Sequence, residues 1–192
     1  MFKKLLSLLL ITVALSTPTA YADQNPSSAA LGIMIEALSS LKQYQSTGRV
    51  SFEDVEEVIV AELLPSMDIN ESARLALKKY WSNLKPKQQL ILKTYMATSL
   101  VDNYSTIFAS YDDLSGVKIS VSSKVKRKNN KAIVTMHVAD VNSRKSIAVK
   151  LKMIMTRKEW HIYDVELSGV SLVKNQKASF NSYCNPPISN AC

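Results

Sequence analysis

The hydrophobic positions of this 192-residue chain change period once, near residue 116. Before that point apolar side chains recur at helical spacing; after it they alternate, as on strands. Residues 27–45 form the first helical segment, with Leu31, Ile33, Met34, Ile35, Leu38 and Leu41 apolar. Ser51 caps a second, with Asp54 three residues on as an imperfect capping box. That segment runs to Leu64 and stops at Pro65, since the residue before proline avoids the helical region. Asn70 caps a shorter third segment holding Leu75, Leu77, Tyr80 and Trp81. Pro86 opens the fourth and longest, to about Ser110, because a first-turn proline lacks only an N–H that has no partner there.

The fourth segment carries a row at every fourth position: Leu92, Met96, Leu100, Tyr104, Phe108, closing at Tyr111. Four residues turn a helix by 400°, so the row drifts by about 40° per step. From Leu92 to Phe108 it sweeps roughly 160°, wider than a helix resting on one flat surface needs. Such a helix touches two surfaces, breaks, or wraps something large and apolar.

Four alternating runs follow. Val117, Ile119 and Val121 make the first, and Ala132, Val134, Met136 and Val138 the second. Ile147, Val149, Leu151, Met153 and Met155 make the third, and Trp160 to Leu167 the fourth. Short polar turns at 128–131, 142–145 and 157–159 separate them, the pattern of an antiparallel meander with one solvated face. Gly169 ends the last run and Ser171 caps a final helix to about Tyr183. The fold class is α+β: N-terminal helices packed on a four-stranded antiparallel sheet.

Residues 1–22 stand apart. Lys3 and Lys4, the apolar stretch Leu5–Leu15 and Ala20-Tyr21-Ala22 before Asp23 have the form of a secretory signal peptide, too short to span a bilayer. The expected mature protein is exported and soluble, with one domain over 23–183 and a short tail at 184–192. Its two cysteines, Cys184 and Cys192, are expected to pair in an oxidising compartment.

Charge is uneven along the chain. Residues 23–116 hold 8 basic and 12 acidic side chains, whereas residues 117–192 hold 14 basic and 4 acidic. The basic half is either a solvated outer sheet face or a docking surface for something anionic. Export argues against nucleic acid.

Candidate chemistry is sparse. Four glycines, at 32, 48, 116 and 169, provide no phosphate-cradling loop. His137 with Asp140 and His161 with Asp164 lack a third ligand at metal spacing, and no nucleophile elbow is present. The S-x-x-K matches at Ser39 and Ser115 recur by chance in a Ser- and Lys-rich chain. Glu53, Asp54, Glu56 and Glu57 suit the start of a helix. An enzyme, a metal and a cofactor are therefore not expected. What is in excess is inward apolar surface, including Met136, Met153 and Met155, whose flexible side chains adapt to irregular contents.

Several motifs carry a resemblance. Glu62-Leu63-Leu64-Pro65 with Asp68, then Leu77, Tyr80 and Trp81, then Gln88, Leu92, Met96, Leu100, Tyr104 and Tyr111, and finally Trp160, Tyr163-Asp164-Val165 and Gly169-Val170-Ser171-Leu172 stand in the order found in MlaC-type periplasmic phospholipid-binding proteins. These are also known as toluene-tolerance or ABC-transporter auxiliary proteins. The chain resembles them over about residues 27–183. It departs in having Lys78 for a glycine, Leu92 and Met96 for phenylalanines and Gln89 for an arginine.

The resemblance implies a curved sheet with an apolar cavity between the two layers. It also implies a monomeric periplasmic carrier of glycerophospholipid. The partners would be an outer-membrane lipoprotein–porin complex and an inner-membrane ABC transporter with an MCE-domain protein. An acyl chain of roughly 16 carbons needs on the order of 10 kcal/mol of compensation outside a membrane, which a deep cavity supplies. The expected lining is Leu92, Met96, Leu100, Tyr104, Met136, Val138, Val149, Leu151, Met153, Val165 and Leu172. Two alternatives remain open: an exported small-ligand-binding protein or enzyme on a similar cone-like scaffold, and an assembly module with an exposed apolar face.

Overall fold

The computed structural model describes residues 25–108 and 113–184. The proposed signal peptide, Tyr111 at the end of the four-residue row, and Cys192 with its expected pairing to Cys184 lie outside the described residues.

Helix α1 (Pro26–Thr47) starts where Asn25 Oδ1 accepts from Ser27 N at 3.0 Å and Pro26 occupies the first turn. It buries Ala30, Met34, Ala37 and Leu41, one face at helical spacing. Polar contacts fix its C-terminal end to the start of the sheet. Lys42 Nζ donates to Val117 O at 3.2 Å, and Leu114 N donates to Gln45 Oε1 at 2.9 Å. Helix α2 (Phe52–Val58) has the Ser51–Asp54 capping box in full, at 3.1 and 2.8 Å.

This segment does not continue as an α-helix to Leu64. It widens into a π-helical turn, Ile59–Leu63, and then tightens into a 3₁₀ turn, Leu64–Ser66. Pro65 explains the change: it has no N–H to donate, and its ring crowds the carbonyl four residues back.

Helix α3 (Ile69–Leu77) is capped by Asp68, whose Oδ1 accepts from Glu71 N at 2.9 Å, rather than by Asn70. Tertiary docking sets this boundary. Met67 pairs with Ile162, and Asp68 N donates to Ile162 O at 2.8 Å, so the backbone leaves its extended course two residues earlier than local sequence suggests. Glu71, in the first turn, bonds Arg74 and Lys131, both at 2.7 Å. Burial alone would raise the Glu71 pKa, but these two cations outweigh it and hold the carboxyl below its ordinary value.

Tyr80 and Trp81 fall outside α3, in a 3₁₀ stretch, Lys78–Asn83. Lys78, at the junction, has φ 48° and ψ −112°, a region that glycine enters far more readily than any L side chain. Such backbone costs on the order of 1–3 kcal/mol. Lys78→Gly is therefore expected to stabilise the fold by about 1 kcal/mol after the entropic penalty of glycine. Denaturant unfolding checks this, and a lower midpoint for the glycine variant would show that the strain is absent.

Helix α4 (Pro86–Phe108) and helix α5 (Leu172–Cys184) are the remaining α-helices among the described residues. Ser171 caps α5, its Oγ accepting from Lys174 N at 3.1 Å.

The sheet is antiparallel and open, with six strands rather than four: β1 (Val117–Val121), β2 (Lys126–Lys128), β3 (Lys131–Asp140), β4 (Lys145–Thr156), β5 (Glu159–Leu167) and β6 (Val170–Ser171). The order is β1-β3-β4-β5-β6, with β2 pairing the other half of β3. The two strands without a sequence signal are short. β2 is Lys-Arg-Lys and has no apolar alternation, and β6 is two residues beyond a hairpin turn. That turn, Ser168-Gly169, has positive φ at both positions, as the type I′ form of a two-residue hairpin requires.

Pairing between β4 and β5 shifts register once. Met153 faces Ile162 and Leu151 faces Val165, so β5 spends one extra residue where β4 spends none. This is a β-bulge, and it exchanges the two faces of β5 along its length.

Candidate functional site

Alternation puts the apolar residues of β1, β3, β4 and β5 on the face that α1 lies against. Helices α1, α2 and the C-terminal half of α4 close over that face. Between the layers lies an apolar cavity of about 90 Å³. The helical side supplies Met34, Ala37, Leu38 and Leu41 from α1, Val55 and Val58 from α2, Ile59 and Leu63 from the π turn, Met67, and Leu100 and Tyr104 from α4. Leu114 and nine strand residues form the rest: Val117, Ile119, Val138, Ile147, Val149, Leu151, Ile162, Val165 and Leu167.

Among the described residues of this lining, the only polar side-chain group is the Tyr104 hydroxyl, which donates to Val165 O at 3.3 Å. Burial, and secondarily the nearby Asp164 charge, pushes its pKa well above the usual phenol value. It is therefore a neutral hydroxyl at physiological pH, and the described lining carries no fixed charge. Among the described residues no three metal-binding side chains converge. The chemistry available to an occupant is dispersion contact with a dry apolar wall.

A shallower groove joins the cavity at Tyr104, Ile147 and Leu167, which line both. Its remaining walls are Asn103, Ser168, Val170, Leu172 and Asn175, enclosing about 480 Å³. The apolar interior thus meets a mixed rim at the end of the sheet where the β5–β6 turn, the start of α5 and the end of α4 converge.

Asp164 organises that convergence from behind. It is 2% exposed and accepts from Ser171 Oγ at 2.6 Å, Val173 N at 3.0 Å and Lys152 Nζ at 2.7 Å. A carboxylate at a helix N-terminus is favoured by the dipole and by the first-turn N–H groups. The bulge in β5 is what places this carboxylate opposite Lys152 while Val165 and Leu167, next along the strand, face the cavity.

Of the sequence-derived candidates, Leu100, Tyr104, Val138, Val149, Leu151 and Val165 line the cavity. Met136 and Met153 are fully buried in the same apolar core without lining it, and Leu172 lines the rim groove. Leu92 and Met96 belong to a second cluster, with Ala73, Ala76, Leu77, Val173 and Phe180. The broad row on α4 therefore serves two surfaces: its first half packs against α3 and α5, its second half against the cavity. The lining residues from α1, α2 and the π turn are not among those candidates. The apolar face of α1 does signal burial, but the α4 row and the strands offer the stronger period.

The family model for the MlaC protein matches residues 33–185. No curated protein matches the chain. Among solved structures, a phospholipid-binding protein from Ralstonia solanacearum, in complex with a phospholipid, superposes with a TM-score of 0.70. It is 17% identical, and the match covers 82% of this chain and 86% of that one. At this identity the likeness establishes the shared fold.

Proposed function

The chain belongs to the MlaC family, and from that premise we propose that it is a periplasmic phospholipid carrier. In this reading it shuttles glycerophospholipid between an outer-membrane lipoprotein–porin complex and an inner-membrane ABC transporter with an MCE-domain protein. The single observation that carries the reading is the cavity: a wall of apolar side chains whose one described hydroxyl is already bonded to the backbone. Acyl chains sit between helices and sheet, and the headgroup rests in the rim groove among Asn103, Ser168 and Asn175. The phospholipid held by the Ralstonia protein of like fold supports this assignment of cargo.

The cavity volume sets a condition. About 90 Å³ is well below the roughly 300–1,000 Å³ of a typical ligand site. Loading an acyl chain requires the helices to move outward from the sheet or side chains to turn. The flexible thioethers of Met34 and Met67 in the lining suit such adjustment. Catalysis finds no acid, base or nucleophile in the described lining.

Native mass spectrometry and solvent extraction of protein purified from the periplasm of a Gram-negative host test the proposal. About one phospholipid per protein is expected. Recovery of protein without phospholipid, or with only a small apolar metabolite, would instead favour an exported small-ligand-binding protein on the same scaffold.

A further inference from the structure

The N-terminal half of α4 carries a surface that the cavity does not use. Leu90 and Ile91 are each 59% exposed and Tyr95 is 47% exposed. At 100° per residue these three fall within one arc of about 140°, together with exposed Lys87, Thr94 and Thr98. Three large apolar side chains presented together to solvent differ from singly scattered ones. The patch reaches α5, since the Tyr95 and Phe180 rings lie 6.0 Å apart.

The charge around it has one sign. Between Arg74 and Asp102 the chain has five lysines, at 78, 79, 85, 87 and 93, and no carboxylate. None of these five forms an ion pair with a described carboxylate. Lys78 also lies within hydrogen-bonding reach of Lys177 of α5, and that contact, followed by the repulsion of the two like charges, holds the Lys177 ammonium pKa below the usual value. Concentrated positive charge is thus left uncompensated at this end of the molecule. The acidic residues of α2, among them Glu53 and Glu56, belong to the helix that shares the main core with Leu100 and Val101, in the other half of α4.

We propose that the N-terminal half of α4 docks the protein on an anionic lipid surface, with Leu90, Ile91 and Tyr95 entering the headgroup boundary and the flanking lysines on the lipid phosphates. A helix face with aliphatic and aromatic tips among lysines is the chemistry of an interfacial anchor. Lysine stems extend along apolar surface while their ammonium groups reach the phosphates. A bilayer accepts apolar tips at its headgroup boundary without a fitted pocket and presents phosphates all around them, so it meets both the tips and the lysines of this face. The geometry also suits a carrier: Leu90 and the rim residue Asn103 lie on the same helix, about 20 Å apart along its axis. With α4 lying along the membrane, the rim of the cavity is held beside the bilayer without being covered by it. The docking face is separate from the cavity, so it stands or falls independently of the cargo.

Vesicle co-sedimentation tests it. The protein is expected to bind vesicles of phosphatidylcholine with phosphatidylglycerol, and to release them as salt rises above about 0.1 M. Lys85→Ala and Lys87→Ala are each expected to weaken partitioning by about fivefold. Ile91→Ser should weaken it further, with thermal unfolding unchanged because the side chain is exposed. Three results would each overturn the proposal: equal binding to pure phosphatidylcholine, unchanged binding when the three substitutions are combined, or binding only to native membranes whose proteins have not been digested away. The last result would assign the face to a protein partner.

Discussion

Replacing Asp164 with alanine is expected to cost about 3–5 kcal/mol of folding stability, the usual range for removing one member of a buried ion pair. The carboxylate has three partners and almost no contact with water. Its loss leaves the Lys152 ammonium with Glu166 Oε2 at 3.6 Å as its remaining carboxylate, and leaves Val173 N without its side-chain acceptor. For a chain of this length, a loss of that size lowers the thermal midpoint by about 10 °C. Asp164→Asn keeps the shape and an acceptor oxygen, so it should lie between alanine and the parent. Thermal and urea unfolding of the three proteins decide the matter. An alanine variant with an unchanged midpoint would mean that the Asp164 network does not hold α5 to the sheet.

Filling the cavity should separate stability from cargo. Ala37 faces it from α1 and Val149 from β4, and both are buried. Phenylalanine at both positions occupies the space from both sides. Each methylene kept out of an apolar site forfeits about 0.8 kcal/mol. Excluding even two methylenes of an acyl chain therefore lowers affinity by about tenfold. Filling a void commonly stabilises a fold by about 0.5–2 kcal/mol, while overpacking costs about 1–3 kcal/mol. The net effect on unfolding should thus be small while lipid content falls at least about tenfold. Phosphorus per mole of folded protein is the readout. A folded Ala37→Phe, Val149→Phe protein that still carries lipid at the parent level would remove this cavity from the transport reading.

The sequence carried the layer architecture because period is a local property: the switch near residue 116 marks where helices give way to strands. The caps at Ser51 and Ser171 were equally visible, since each rests on bonds within a few residues. The start of α3 was not, because Asp68 is placed by Ile162, far along the chain. β2 and β6 leave no such mark, since pairing, not side-chain alternation, makes them strands.

For the cavity, alternation told which face Val138, Val149 and Leu151 occupy, but not how far along the sheet the helices leave room. Met136 and Met153 share that face and meet close packing instead. The α4 row showed its breadth in the sequence, yet only tertiary contacts divide it, with Met96 on one side of the division and Leu100 on the other.

The extra residue in β5 acts as a change of reading frame between the two sides of the sheet. Upstream of it the even-numbered positions Trp160 and Ile162 are the inner letters; downstream the odd-numbered Val165 and Leu167 are. Removing the extra residue, Tyr163, would merge the two frames: Ile162 would run straight into Asp164, and the pairs Met153–Ile162, Lys152–Asp164 and Leu151–Val165 would become one unbroken ladder. The inner side chains would stay the same, with the carboxylate still on the outer face. Length is constrained just beyond the bulge instead: deleting Val165 or Glu166 would turn Leu167 to the opposite face, whereas a substitution there changes one side chain at a time.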